Sequence, residues 1–180
     1  EEDAEPTVVV YVDELRRSIG SLREAGATAI LVPEIRWSWC HVKSVNLLPK
    51  VLMQKRAGAA GCYEALFVSE RGEVWEGTST NLFIRENDTL RTPEDDERIL
   101  PGITRREVLD IAAEANIPVE LSTVHVDDLY EADEVFLTGT LTEVLGLVEI
   151  DERTVGGGQV GEWTRRIREE LLERRRAATE

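Results

Sequence analysis

The sequence predicts one domain that mixes strands and helices, α/β or α+β, with many short strands and about four helices. Three observations carry that expectation. Apolar, β-branched runs of strand length recur from Thr7 to Ile150. Turn pairs such as Arg71-Gly72 and Asn87-Asp88 separate several of them, as in a meander of antiparallel hairpins. Residues 104–115 follow a helical period instead, with Val108, Leu109, Ile111 and Ala112 on the inner side.

In chain order, Glu1-Glu-Asp-Ala-Glu-Pro6 is charged, lacks an initiator methionine and reads as an internal linker of a longer protein. The continuous run Thr7-Val-Val-Val-Tyr-Val12 suits a strand buried on both faces. Residues 13–24 are mixed and charged, a short helix or a covering loop. Residues 26–32 form the next strand, stopped by Pro33, and Ile35-Arg-Trp-Ser-Trp39 leads into His41-Val-Lys-Ser-Val-Asn-Leu-Leu48. A helix is expected from Ser44, which caps it, with Val45, Leu48, Leu52 and Met53 on an apolar stripe. Pro49 falls in its first turns, where a missing donor costs least, and Gly58 and Gly61 end it.

Strands follow at 63–68, 73–75, 81–84 and 89–92. The helix at 104–115 opens on Thr104 and Glu107, which stand at capping-box spacing. After it come a strand at 119–121, a short helical stretch at 127–130, and strands at 134–138 and 144–150. A Gly156-Gly-Gly158 loop and a charged helix at 162–176 complete the chain.

Hydrophobic residues make up 42 % of the chain, enough for a globular core. No apolar run approaches a membrane span, and Cys40 and Cys62 read as free thiols of a cytoplasmic protein. A net charge of −15 disfavours nucleic acid and anionic membranes as partners, although a pocket can still be locally positive.

The chain holds three lysines (Lys43, Lys50 and Lys55) against eighteen arginines. Lys43 lies at a seam between an apolar strand and a helix. It is a solvated surface charge or the one group there that can lose a proton and form an imine, which a guanidinium cannot. Pro101-Gly-Ile-Thr104 precedes a helix whose free N–H groups and positive dipole end suit a phosphate, or it is a plain capped start. Trp75-Glu-Gly-Thr-Ser-Thr-Asn81 is a simple turn with a solvated Glu76, or it offers a carboxylate and several hydroxyls to a polar ligand. Thr138-Gly-Thr-Leu-Thr142 is a second small polar loop suited to an anion. His41, His125 and the cysteines lack partners at metal-ligand spacing, so no metal site is expected. No GxSxG, Walker or GxGxxG motif occurs. A lysine, a carboxylate and donor-rich loops at strand and helix ends match the needs of pyridoxal 5′-phosphate.

The chain resembles the large domain of the class IV pyridoxal-phosphate aminotransferases, from about Pro6 to Arg175. The landmarks are Lys43-Ser-Val-Asn46, Gly61-Cys-Tyr-Glu-Ala-Leu66, Glu76-Gly-Thr-Ser-Thr-Asn-Leu-Phe83, Leu100-Pro-Gly-Ile-Thr-Arg105 and Asp133-Glu-Val-Phe-Leu-Thr-Gly-Thr140. Within the family it is most similar to D-amino acid aminotransferases. Ile35-Arg-Trp37, Cys40 to Leu48 and Val160-Gly-Glu-Trp-Thr-Arg165 point that way, and Leu47 stands where branched-chain enzymes usually have tyrosine.

The resemblance implies a pseudobarrel-like domain of fold type IV over residues 14–180. Residues 1–13 would be the linker and first strand from a small N-terminal domain that this sequence lacks. It also implies a homodimer using amino acid and 2-oxo acid substrates. Lys43 would form the imine with the cofactor and move the substrate proton, its pKa lowered by desolvation. Glu76 would pair with the pyridine nitrogen. Gly102, Ile103, Thr104, Gly139 and Thr140 would cradle the phosphate, Leu100 would pack on the ring, and Thr78 and Ser79 would line its side. The expected activity is transamination of an amino acid of the D series. Aminodeoxychorismate lyase, branched-chain aminotransferase and a truncated domain without full activity are the alternatives. On this reading the chain carries the cofactor half of the site and lacks most of the substrate half.

Overall fold

The structure is a computed structural model that describes residues 5, 7–13 and 19–178. In chain order its elements are α1 (Leu22–Ala25), β1 (Ala27–Pro33), α2 (Leu48–Ala59), β2 (Glu64–Val68) and β3 (Glu73–Gly77). Next come β4 (Asn81–Glu86), β5 (Thr89–Thr92), α3 (Ile103–Glu114), β6 (Val119–Leu121) and β7 (Val124–His125). The chain continues through α4 (Val126–Glu131), β8 (Glu134–Gly139), β9 (Glu143–Ile150), β10 (Arg153–Thr154) and α5 (Glu162–Ala177).

Six strands form a closed ring in the order β4-β8-β9-β1-β2-β3, with β3 returning to β4. β1 runs parallel to both of its neighbours, and the other pairings of the ring are antiparallel. Strand alternation explains the closure. Every ring strand sends alternate residues to one cluster: Ala29, Leu66, Val74, Leu82, Leu137 and Leu145 meet there, all at most 1 % exposed. Only the inside of a ring brings six strands to one place. The intervening residues face outward under helices. Phe83 and Phe136 stack at 5.0 Å beneath α3 and α5, with Val108, Ile111, Ile167 and Leu171. Ala65 and Phe67 pack with Val32 and Ala57 of α2. The pseudobarrel-like mixed fold expected from the resemblance is therefore present.

α5 begins in an unusual way. Its N-cap, Gly161, has no capping side chain. A carboxylate from β8 does that work instead: Glu134 accepts the N–H of Trp163 at 3.0 Å, and the N–H and hydroxyl of Thr164 at 2.9 and 2.8 Å. Arg85 pairs with the same carboxylate at 3.0 Å. A Cβ at position 161 would lie 1.8 Å from Glu134 Cδ, so the approach requires glycine.

Several sequence expectations need correction. Residues 7–12 belong to no strand, and Val8 to Val12 are 76–97 % exposed, so the β-branched run is uncovered rather than buried. Residues 14–18 of the segment expected to be helix or loop lie outside the described residues. α2 starts at Leu48 rather than Ser44, whose hydroxyl instead accepts the Asn46 N–H at 3.2 Å. α3 is capped by Gly102, so Thr104 and Glu107 form no capping box and the Thr104 side chain is released from that duty. β7 and β10, two residues each, went unforeseen. Among the described residues no helix is long and apolar enough to cross a membrane.

Candidate active site

The ring closes where Glu76, near the end of β3, pairs with Asn81 at the start of β4. The Gly-Thr-Ser-Thr turn between them is held by Glu64, which is 1 % exposed. Glu64 accepts from the Thr78 N–H at 3.1 Å, the Thr80 hydroxyl at 2.9 Å and the Ala65 N–H at 2.9 Å, and also from the Thr78 hydroxyl. A Cβ on Gly77 would meet Thr80 Oγ1 at 2.2 Å, which fixes glycine there.

Glu76 is 2 % exposed and fully engaged. Its Oε2 accepts the Leu100 N–H at 2.9 Å and Asn81 Nδ2 at 3.3 Å, while Oε1 takes Lys50 Nζ at 3.1 Å and the Arg36 guanidinium. Arg36 is buried between two carboxylates, pairing also with Glu34, and lies 4.4 Å from the centre of the Phe67 ring. Burial opposes its charge. The hydrogen bond to Glu34 and the nearby Glu76 more than offset that and raise its pKa further.

A cavity of about 340 Å³ opens in front of this turn. Eight of the ten residues expected in the site line it: Lys43, Ser79, Leu100, Gly102, Ile103, Thr104, Gly139 and Thr140. Glu76 lies behind Leu100 and Asn81, one hydrogen bond away. Thr78 faces a different cavity, beside Lys50 and Gln54. Lys43 and Leu100 also border a smaller space of about 60 Å³ next to Arg36 and Lys50. The lysine thus stands between the large cavity and the cations that hold Glu76. Lys43 is exposed, so the burial expected to desolvate it is absent in this chain alone.

The cavity is built to receive an anion. α3 starts on Gly102 without a side-chain cap or an acidic residue in its first turn, so its first N–H groups lack intrahelical partners. Gly102 is needed there, since a Cβ would meet Asn81 Oδ1 at 2.1 Å. Thr138, wholly buried and lining the cavity, has a hydroxyl without a hydrogen-bond partner among the described residues. An orphaned buried hydroxyl is costly unless something engages it. An amine, a locked carboxylate, an apolar Leu100 and this donor cradle fit pyridoxal phosphate.

Sequence reasoning missed Arg36, Lys50, Asn81, Glu64, His41 and Thr138 as parts of the site. Lys50 had a usable signal, since it is one of only three lysines and closely follows Lys43 in the chain. Arg36 had a fainter one, a charge set between Ile35 and Trp37. Cys40, buried beside them, has its thiol pKa pushed up by burial, against the lowering pull of Arg36. The thiolate is the reactive form. At pH 8 iodoacetamide is therefore expected to label Cys62 well before Cys40, with Cys40 catching up only at higher pH; equal labelling by mass spectrometry at pH 8 contradicts this.

The Amino-transferase class IV family model matches residues 1–150. The D-alanine aminotransferase of Bacillus licheniformis is 36 % identical over 149 residues, covering 83 % of this chain and 52 % of the relative. A putative branched-chain-amino-acid aminotransferase of Methanocaldococcus jannaschii is 43 % identical over 130 residues, covering 72 % of this chain and 45 % of the relative. Among solved structures, a branched-chain amino acid aminotransferase of Escherichia coli superimposes with a TM-score of 0.74. It is 30 % identical, and the match covers 83 % of this chain and 52 % of that one. The chain spans about half the length of the curated relatives it matches.

Proposed function

Because the chain belongs to the class IV aminotransferases, we propose that its cavity binds pyridoxal 5′-phosphate and serves amino-group transfer between a D-amino acid and a 2-oxo acid. The observation that carries this reading is a single cavity uniting Lys43 with the uncapped start of α3 and the orphaned Thr138 hydroxyl. When bound, the cofactor supplies an aldehyde that takes the amino group and a ring that accepts electrons.

This chain's residues divide the remaining work. Lys43 Nζ would hold the cofactor and, as a free amine, would carry the proton to and from the substrate Cα. Glu76 would pair with the ring nitrogen and keep it protonated, its carboxylate set in place by Arg36, Lys50 and the Leu100 N–H. Backbone donors at Gly102, Ile103, Thr104 and Gly139, with the hydroxyls of Thr104 and Thr140, would hold the phosphate. Leu100 would pack against the ring and Ser79 would border its side, while Thr78 faces the neighbouring cavity.

The D series is favoured by the D-alanine aminotransferases among the relatives. The branched-chain alternative is favoured by the 43 % identity to the M. jannaschii protein. A homodimer is part of the proposal, supported by apolar side chains left in solvent near Lys43: Val45 is 96 %, Leu48 67 % and Trp39 62 % exposed. A cytoplasmic setting is proposed with it.

Titration with pyridoxal phosphate is expected to give a visible absorption band that borohydride bleaches, leaving the added mass on the peptide containing Lys43. Assays of D-alanine and L-leucine, each with 2-oxoglutarate, then separate the two substrate readings. No band, or a label mapped elsewhere, sinks the cofactor assignment.

A further inference from the structure

We propose that Arg175, in the last turn of α5, is a positioning residue for the anion seat at the start of α3. It orients the Thr104 hydroxyl and sets a positive charge behind it. The inference rests on the phosphate-binding reading above and adds a residue from a distant helix.

Arg175 Nη2 donates to Thr104 Oγ1 at 3.3 Å and to Glu107 Oε2 at 3.0 Å. Thr104 is 3 % exposed, lines the cavity and is not the cap of its helix. With a guanidinium donating to its oxygen, the hydroxyl keeps its own proton to give. Among the described residues that proton meets no acceptor, and the side chain borders the cavity. The hydroxyl is therefore polarised as a donor toward an anion.

The charges nearby support the same conclusion. Arg105 is buried but is tied to Asp95, the Pro93 carbonyl and Thr92. Among the described residues, Arg175 is the cation that touches a cavity-lining hydroxyl. In a chain of net charge −15, an anion seat depends on such local positive charge. The placement is rigid, because α3 and α5 share the cluster of Val108, Ile111, Ile167 and Leu171. Glu107 shares the same guanidinium nitrogen and partly neutralises it.

The test compares pyridoxal 5′-phosphate with pyridoxal, which lacks the phosphate, by spectroscopic titration of four proteins alongside their melting temperatures. In Arg175→Met the dissociation constant for the phosphate form is expected to rise about fivefold, roughly the worth of one partly exposed charged contact. That for pyridoxal should move less than about twofold. Arg174→Met removes pairs to Glu114 and Glu170 on the same turn and should leave both constants unchanged. Glu107→Gln removes the carboxylate that competes for the guanidinium and should tighten the phosphate form. Equal losses for both ligands in Arg175→Met, no loss for either, or weaker phosphate binding in Glu107→Gln would each overturn the role. A wild-type chain that does not prefer the phosphate form counts against the cofactor seat itself, independently of the variants.

Discussion

Replacing Lys43 by alanine is expected to abolish the borohydride-fixed cofactor label and to lower transamination by about 10²–10⁴-fold, the range for a positioned acid–base group. The chain's other two lysines make the experiment discriminating. Lys50 Nζ is committed to Glu76 at 3.1 Å, and Lys55 borders the cavity beside Thr78 rather than the one with the anion seat. Lys50→Ala and Lys55→Ala should therefore keep a label on Lys43. Lys43 is exposed and its loss removes no buried contact, so the melting temperature of Lys43→Ala should stay near that of the parent. A full-strength label in Lys43→Ala, read by peptide mass, refutes the assignment.

Glu134→Ala is expected to have the largest effect on stability, about 3 kcal/mol, in the range for breaking a buried charged network. The carboxylate is 4 % exposed and serves the Trp163 and Thr164 N–H groups, the Thr164 hydroxyl and Arg85 at once. Its removal leaves the first turn of α5 without a cap and Arg85 without its counter-charge. For a domain of this size the loss corresponds to a fall of roughly 6–12 °C in melting temperature. Glu134→Gln keeps the shape and one acceptor oxygen, so it should fall between the two. An alanine variant that melts within a degree of the parent removes the capping role.

The ring strands were legible because they alternate: Leu82-Phe83-Ile84 and Val135-Phe136-Leu137 each split cleanly between the interior and the helix-covered face. Residues 7–12 misled because a β-branched run signals suitability for a sheet and says nothing of whether a neighbour exists to pair with it. The start of α2 was misplaced because Ser44 had two uses for its hydroxyl, and the local bond to Asn46 won over a cap. Two-residue strands such as β7 form by pairing, with Val74 opposite Val124, and carry no pattern of their own.

In the site, residues whose chemistry is local were visible: an amine, a carboxylate, a glycine before a helix. Those defined by what folds against them were not. Arg36 matters because the segment after β1 brings it to Glu76, forty positions later, and Thr138 matters because no described residue satisfies its hydroxyl. Thr104 was named for its position beside a helix start, yet its neighbour Arg175 lies seventy-one residues away.

The closure of the ring through Glu76 and Asn81 has a consequence for motion. Five residue pairs join β4 to β8 and five join β8 to β9, whereas the β3–β4 seam holds one ladder pair beside the Gly77 N–H to Thr80 carbonyl bond of its turn. Local opening of a fold begins at its least reinforced hydrogen bonds. Here those bonds belong to the same two residues whose side chains grip the Leu100 backbone at the cavity wall. Anything bound in front of Leu100 therefore works as a clasp, holding shut by mass action a joint that the sheet fastens with one ladder pair.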